Sequence, residues 1–213
     1  MPDRSRLLAP LVVLSSGIGF APPPYALTLD SAAALIKSRC DPSYLAAVQQ
    51  TGRLLYRGSP NAVASILAPG FDLLLASTYQ DSAALAYFNT LEREMPAAIK
   101  PSNSHIAVAD IAAASQWGDV VSVWPLAKGL HYAFPNARRD FYPVRAAGNA
   151  PRAPVKSTSL GGADQLAIDR DLPIALRDGR EVMFAASSFV AIRASADAEI
   201  KALLRVRVSS TRI

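Results

Sequence analysis

Two short segments far apart in the chain, Arg53-Leu-Leu-Tyr-Arg57-Gly58 and Gly179-Arg180-Glu181-Val-Met-Phe184, each set charged residues into an apolar stretch that reads as half-buried strand. A guanidinium or carboxylate drawn into a sheet is costly unless it meets a partner, a ligand or its opposite charge. Any fold of this chain must therefore place Arg57 and Glu181 with care. They are the strongest candidates for chemistry that the sequence offers.

The 213 residues suffice for one domain with a sizeable core and fall short of two comfortable ones. Half of the chain (51%) is hydrophobic, which excludes wholesale disorder. The net charge is +5, carried by seventeen arginines and five lysines against seventeen acids. Guanidinium pairs bidentately with phosphate or carboxylate, so this balance permits an acidic partner. The basic residues are scattered outside one segment, and no stripe interleaves them with aromatics, so no specific nucleic-acid binding is indicated. One cysteine, Cys40, and two histidines, His105 and His131, exclude an intrachain disulfide and a zinc site of Cys/His type. No metal site is expected. Cys40 falls in an apparently helical stretch and reads as a buried, inert thiol.

Residues 1–26 form a leader. Two arginines precede an almost uncharged apolar run, Leu7 to Phe20, too short to span a bilayer and suited to a secretory h-region. Small residues at Gly17-Ile18-Gly19 precede Phe20-Ala21-Pro22, which resembles the bipartite plastid-targeting leaders of algae with complex plastids. Read so, the protein is secreted or plastid-targeted, with no membrane span in the mature chain. Read instead as a strand or tail on the domain, the segment leaves the protein cytoplasmic.

The remainder, 27–213, reads as one α+β domain. Leu27 to Gln50 gives a helix capped by Thr28 or Asp30, interrupted at Asp41-Pro42 and followed by a second short helix. Arg53 to Gly58 is a strand. Ser59 to Leu67 fits no single element, and Ala68-Pro69-Gly70 is a turn. Asp81 to Glu94 is a helix with Leu85, Phe88 and Leu91 on its apolar face. His105 to Ala109 is a strand, Asp110 caps a helix over Ile111 to Trp117, and Asp119 to Trp124 and Gly129 to Phe134 are strands. A short helix precedes Asp178-Gly179. Glu181 to Phe184 and Phe189 to Ile192 read as a strand–turn–strand pair, Ala196 to Leu204 as a helix and Leu204 to Val208 as a terminal strand. The elements show no regular βαβ rhythm, which favours α+β over a doubly wound sheet.

Pro135 to Gly162 differs in kind. It holds four prolines, four arginines, one lysine and a single acid, Asp140, and so carries most of the net charge. A long basic Pro/Gly/Ala stretch is either a functional loop or an insertion.

Familiar catalytic devices are missing. There is no Gly-x-x-x-x-Gly-Lys phosphate loop and no Gly-x-Ser-x-Gly elbow, and the Gly-x-Gly at Gly17 lies in the leader. His131 could serve as a general base, but between Leu130 and Tyr132 in an aromatic strand it reads rather as a core or rim histidine with a hydrogen-bonded ring, and so does His105.

A Tyr-Arg-Gly strand early in the chain and a Glu-Val strand late in it, followed by a turn and a Phe-containing strand, resembles the ADP-ribosyltransferases of the arginine–serine–glutamate class. The resemblance implies a split antiparallel β-sandwich with flanking helices, the arginine strand beside the glutamate strand, and NAD as substrate in the cleft between the sheets. It implies that Arg57 contacts the diphosphate, that Gly58 allows close approach, and that Glu181 stabilises an oxocarbenium-like transition state as nicotinamide leaves. The middle Ser-Thr-Ser motif is not evident, and Ser102 or Ser104 would be its displaced substitute. The position two before the glutamate, commonly Glu or Gln, is Gly179, which leaves open mono-ADP-ribosyl transfer to a protein acceptor, NAD hydrolysis or an inactive relative. The rival readings are a noncatalytic binding or accessory module that docks an acidic partner through Pro135–Gly162, and a structural protein. In either, Arg57 and Glu181 pair with ordinary neighbours.

Overall fold

The computed structural model describes residues 27–59, 65–67, 82–137, 140–141 and 162–206. The expected leader over residues 1–26, the expected turn at Ala68–Gly70, most of the basic segment and the chain beyond Val206 lie outside these described residues. The first helix, α1 (Leu29–Arg39), starts where the Thr28 hydroxyl accepts the Ser31 N–H, and it buries Ala32, Ala33 and Ile36. Pro42 opens α2 (Pro42–Thr51), and Asp41 is its N-cap. The chain before Pro42 is extended, since a proline disfavours helical geometry in the residue ahead of it. Cys40 is extended too, and bridges to Leu126 instead of continuing the helix. It is buried, and that burial, aided by the neighbouring Asp41 charge, pushes its thiol up to about 12.

Gly52, at φ 66°, ends α2 and leads into β1 (Leu55–Ser59). There follow β2 (Ser65–Leu67), α3 (Ser82–Glu94), β3 (His105–Val108) and α4 (Ile111–Ala114), whose last residue runs into a single 3-10 turn, Ser115–Trp117. The chain continues through β4 (Asp119–Pro125), β5 (His131–Pro135), β6 (Leu166–Ile168), α5 (Leu172–Asp178), β7 (Glu181–Ala185), β8 (Phe189–Arg193) and α6 (Asp197–Leu204). The architecture is mixed α+β. Arg205 closes α6 in the left-handed region, and no strand begins there among the described residues.

Among the described residues eight strands hydrogen-bond in one antiparallel order, β2-β8-β4-β1-β3-β7-β5-β6. They therefore make one sheet and not two separate ones. Its narrowest joint is β1 to β3, a single register pair, Tyr56 with Val108. The expected pairing of β7 with β8 does not form. β7 lies between β3 and β5, and β8 lies between β4 and β2.

That topology dictates the sheet's shape. Four places separate β7 from β8, about 19 Å across a flat sheet at ~4.8 Å per strand. The connection from Ala185 to Phe189 has four Cα steps, about 15 Å at full stretch. The sheet must curl until the two strand ends meet. The rings of Phe184 and Phe189 accordingly lie 6.1 Å apart, and His105 stacks within 5.4 Å of Phe184 and 5.1 Å of Phe189. On the concave face the two phenylalanine rings join Leu55, Val121, Val123 and Val182 in the main core. A second, smaller cluster sits on the other face. There Tyr87, Phe88 and Leu91 of α3 pack on Ala133, Leu166 and Met183.

Two polar groups tie helices to this sheet. The Tyr44 hydroxyl donates to the Val123 carbonyl at 2.8 Å and accepts the Leu55 N–H at 3.2 Å, bridging β1 to β4. Asp41 is 3% exposed. One of its oxygens accepts the Ser43 hydroxyl and the N–H groups of Ser43 and Tyr44, and the other accepts those of Gly129 and Leu130 at 3.0 and 2.9 Å. Burial works to raise this carboxyl's pKa. The hydrogen bonds from Ser43, Leu130 and Tyr44 outweigh it and hold the group below its ordinary value. Asp41→Ala should cost about 3 kcal/mol in urea unfolding at pH 7, because it strands four backbone N–H groups. A depressed folded pKa gives stability that is present above the unfolded value near ~4 and is lost as pH falls through the folded one. Asp41→Asn should therefore flatten the loss of stability below about pH 4.

Candidate functional site

The register fixes where the two proposed site residues point. Tyr56 pairs with Val108, and Val108 pairs with Glu181, so these three side chains stand in one row on one face. Successive residues of a strand face opposite ways. Arg57 therefore projects from the other, concave face. The convergence expected of Arg57 and Glu181 does not occur, and the two strands are not neighbours, since β3 lies between them.

Each residue has its own surroundings. The Arg57 guanidinium lies 5.8 Å from the centre of the Phe189 ring, a cation–π arrangement at the edge of the aromatic cluster. Glu181 accepts the Phe141 N–H at 2.7 Å. A β-carbon on Gly58 would lie 2.5 Å from the backbone carbon and the Cβ of Trp117, so the close approach at Gly58 is made by the chain's own 3-10 turn. Ser104 is buried, and its hydroxyl donates to the Asn103 side chain at 3.1 Å. Ser102 bonds Glu92 of α3 through both its N–H and its hydroxyl. Gly179 is the left-handed C-cap of α5, at φ 69°. Helix termination explains a glycine where the resemblance looks for Glu or Gln.

What β7 does organise is the root of the basic segment. Pro135 pairs with Leu166, and the Asn136 N–H donates to the Gln165 carbonyl at 2.9 Å, so the two ends of the excursion are fastened together. Arg180 reaches across from the head of β7. It donates to the Pro135 and Asn136 carbonyls, forms an ion pair with Asp178 at 2.7 Å, and lies over the Phe134 ring. Beside it, Glu181 holds Phe141, whose ring is fully buried in the α3 cluster. At the far end Glu94 of α3 accepts the Ala163 N–H at 3.1 Å. Three charged side chains thus bind the segment's base to rigid elements through charge-assisted hydrogen bonds.

Two polar groupings have partners that the sequence did not pair. The His131 ring lies at the head of β5, where Nδ1 meets an Asp169 carboxylate oxygen at 2.7 Å, and both side chains are nearly half exposed. The histidine is on the rim, and the Asp169 partner, 38 positions on, had no local signal. Under α6, the Asp197 carboxylate lies near the hydroxyls of Ser122 and Tyr56 and faces Lys201, whose ammonium donates to the Gly52 carbonyl at 2.8 Å. Burial raises the Asp197 carboxyl and lowers the Lys201 ammonium, each shift opposed by the other's charge.

Among the described residues no group of three or more His, Cys, Asp or Glu side chains is placed to hold a metal ion, and no helix is long and apolar enough to cross a membrane. No family model matches the chain, and neither the curated proteins nor the solved structures contain a match.

Gly58→Ala should destabilise the fold by about 2 kcal/mol, because the atoms its methyl would strike are backbone and cannot swing away. Glu181→Ala should cost about 1–3 kcal/mol by stranding the Phe141 N–H. It should also speed tryptic cleavage within Pro135–Gly162 ahead of global unfolding, read by mass spectrometry under native conditions.

Proposed function

We propose that this chain is a binding module that docks an acidic partner through the basic segment Pro135–Gly162, with the curled sheet as its scaffold. The observation behind this reading is the fastened base of the segment. Arg180, Glu181 and Glu94 spend charged side chains on holding it, and the strands β5 and β6 bring its two ends together. The segment's five basic residues against one acid supply a field that attracts and orients an anionic surface, and the rigid base limits the entropy lost on docking.

NAD cleavage by an ADP-ribosyltransferase-like site asks for Arg57 and Glu181 in one cleft. The register gives that reading less support, because the two face opposite ways and Glu181 already holds Phe141.

Poly-L-glutamate serves as the acidic probe. Binding should weaken on the order of tenfold between 50 and 200 mM salt, since screening shortens the reach of exposed charges. It should vanish when Arg138, Arg139, Arg145, Arg152 and Lys156 are all changed to Gln. NAD should leave the melting temperature unchanged. A salt-independent affinity, or binding that survives the five substitutions, overturns the docking reading. An NAD-induced rise in melting temperature that is lost in Arg57→Lys restores the nucleotide one.

A further inference from the structure

The His131–Asp169 pair lies at the opposite end of β5 from the basic segment and takes no part in fastening it. An ionised carboxylate only accepts hydrogen bonds, so the Nδ1 that meets Asp169 at 2.7 Å carries the ring hydrogen. In the neutral ring Nε2 is then the bare, basic nitrogen, and it has no partner among the described residues. Asp169 is itself fixed. Its other oxygen accepts the Tyr132 N–H at 2.8 Å, its own N–H donates to the Tyr132 carbonyl at 2.9 Å, and its backbone sits in the left-handed region at φ 52°. The imidazole is thus held in one tautomer by a carboxylate locked to the same strand. With the His131 side chain 47% exposed, the ring is open to a reactant from solvent. The other histidine, His105, is 2% exposed and packed between phenylalanines.

We propose that His131 and Asp169 form a general-base pair that activates water against a carboxylic ester. Nε2 takes one proton from a water molecule as the water oxygen bonds to the ester carbon. The bond from that carbon to the alcohol oxygen breaks, and the imidazolium returns the proton to the departing alkoxide. An acid and an alcohol result, and the pair is regenerated. Asp169 is a positioning residue, which fixes the tautomer and stabilises the imidazolium while it carries the extra proton. An ester is the fitting substrate class, since an uncharged carbonyl carbon can be attacked by water that a single base activates. This site is independent of the docking reading, and neither rests on the other.

The test uses the full chain with p-nitrophenyl acetate. Hydrolysis above the buffer background should fall on the order of 100-fold in both His131→Ala and His131→Gln. In Asp169→Asn it should fall ~10-fold or more, because the amide presents a donor to Nδ1 and moves the ring hydrogen to Nε2. Nitrogen-15 shifts of the imidazole should report that tautomer change while the melting temperature shows Asp169→Asn still folded. Hydrolysis as fast in His131→Gln as in the wild type overturns the proposal. So does an Asp169→Asn protein that keeps both the rate and the tautomer.

Discussion

The connection between β7 and β8 is too short for a flat sheet, and most of the architecture answers to that constraint. Three residues, Ala186 to Ser188, must join strands that stand four places apart. Only a curled sheet allows it. The curl brings Phe184, Phe189 and His105 into one aromatic contact and gives the concave face a core without a second sheet among the described residues. The seam between β1 and β3, reduced to one register pair, is where such a bend is cheapest, because few ladder hydrogen bonds cross it. The Tyr44 hydroxyl stiffens the neighbouring β1–β4 edge by standing between a donor and an acceptor of the two strands.

The charged residues at the head of β7 have a common logic. Arg180 and Glu181 are consecutive, so they leave the strand on opposite faces, and each reaches a different part of the same departing segment. Asp178 holds the guanidinium from behind. A strand that fastens one segment from both of its faces needs polar side chains at adjacent positions. This accounts for charge at the start of an otherwise apolar run without a ligand.

Element identity was largely legible in the sequence, and partnership was not. Thr28 and Asp110 announced their caps, Gly179 a helix end, and Phe88 with Leu91 the buried stripe of α3. Cys40 was misplaced because the helical apolar pattern continues through it, while the steric demand of Pro42 stops the helix earlier. The pairing of β7 with β8 looked natural from a three-residue gap. Register and sheet order depend on contacts between distant segments, which a short-range pattern does not encode. The same holds for the candidate site. Alternation within β1 puts Arg57 on one face with Leu55. Which face Glu181 would share depended on Val108, a residue with nothing to recommend it locally.

The closed base of the basic segment carries a consequence for how such a chain can vary. Among the described residues, the contacts that shut it lie close to its two ends, from Asn136 to Gln165, from Glu94 to Ala163 and from Arg180 and Glu181 to Pro135, Asn136 and Phe141. Lengthening a loop whose ends are already joined is thermodynamically mild, about 0.6 kcal/mol for each doubling. The sheet would scarcely register insertions or deletions there. The stretch between Asn136 and Gln165 can therefore change length while the register of β5 and β6 stays as it is.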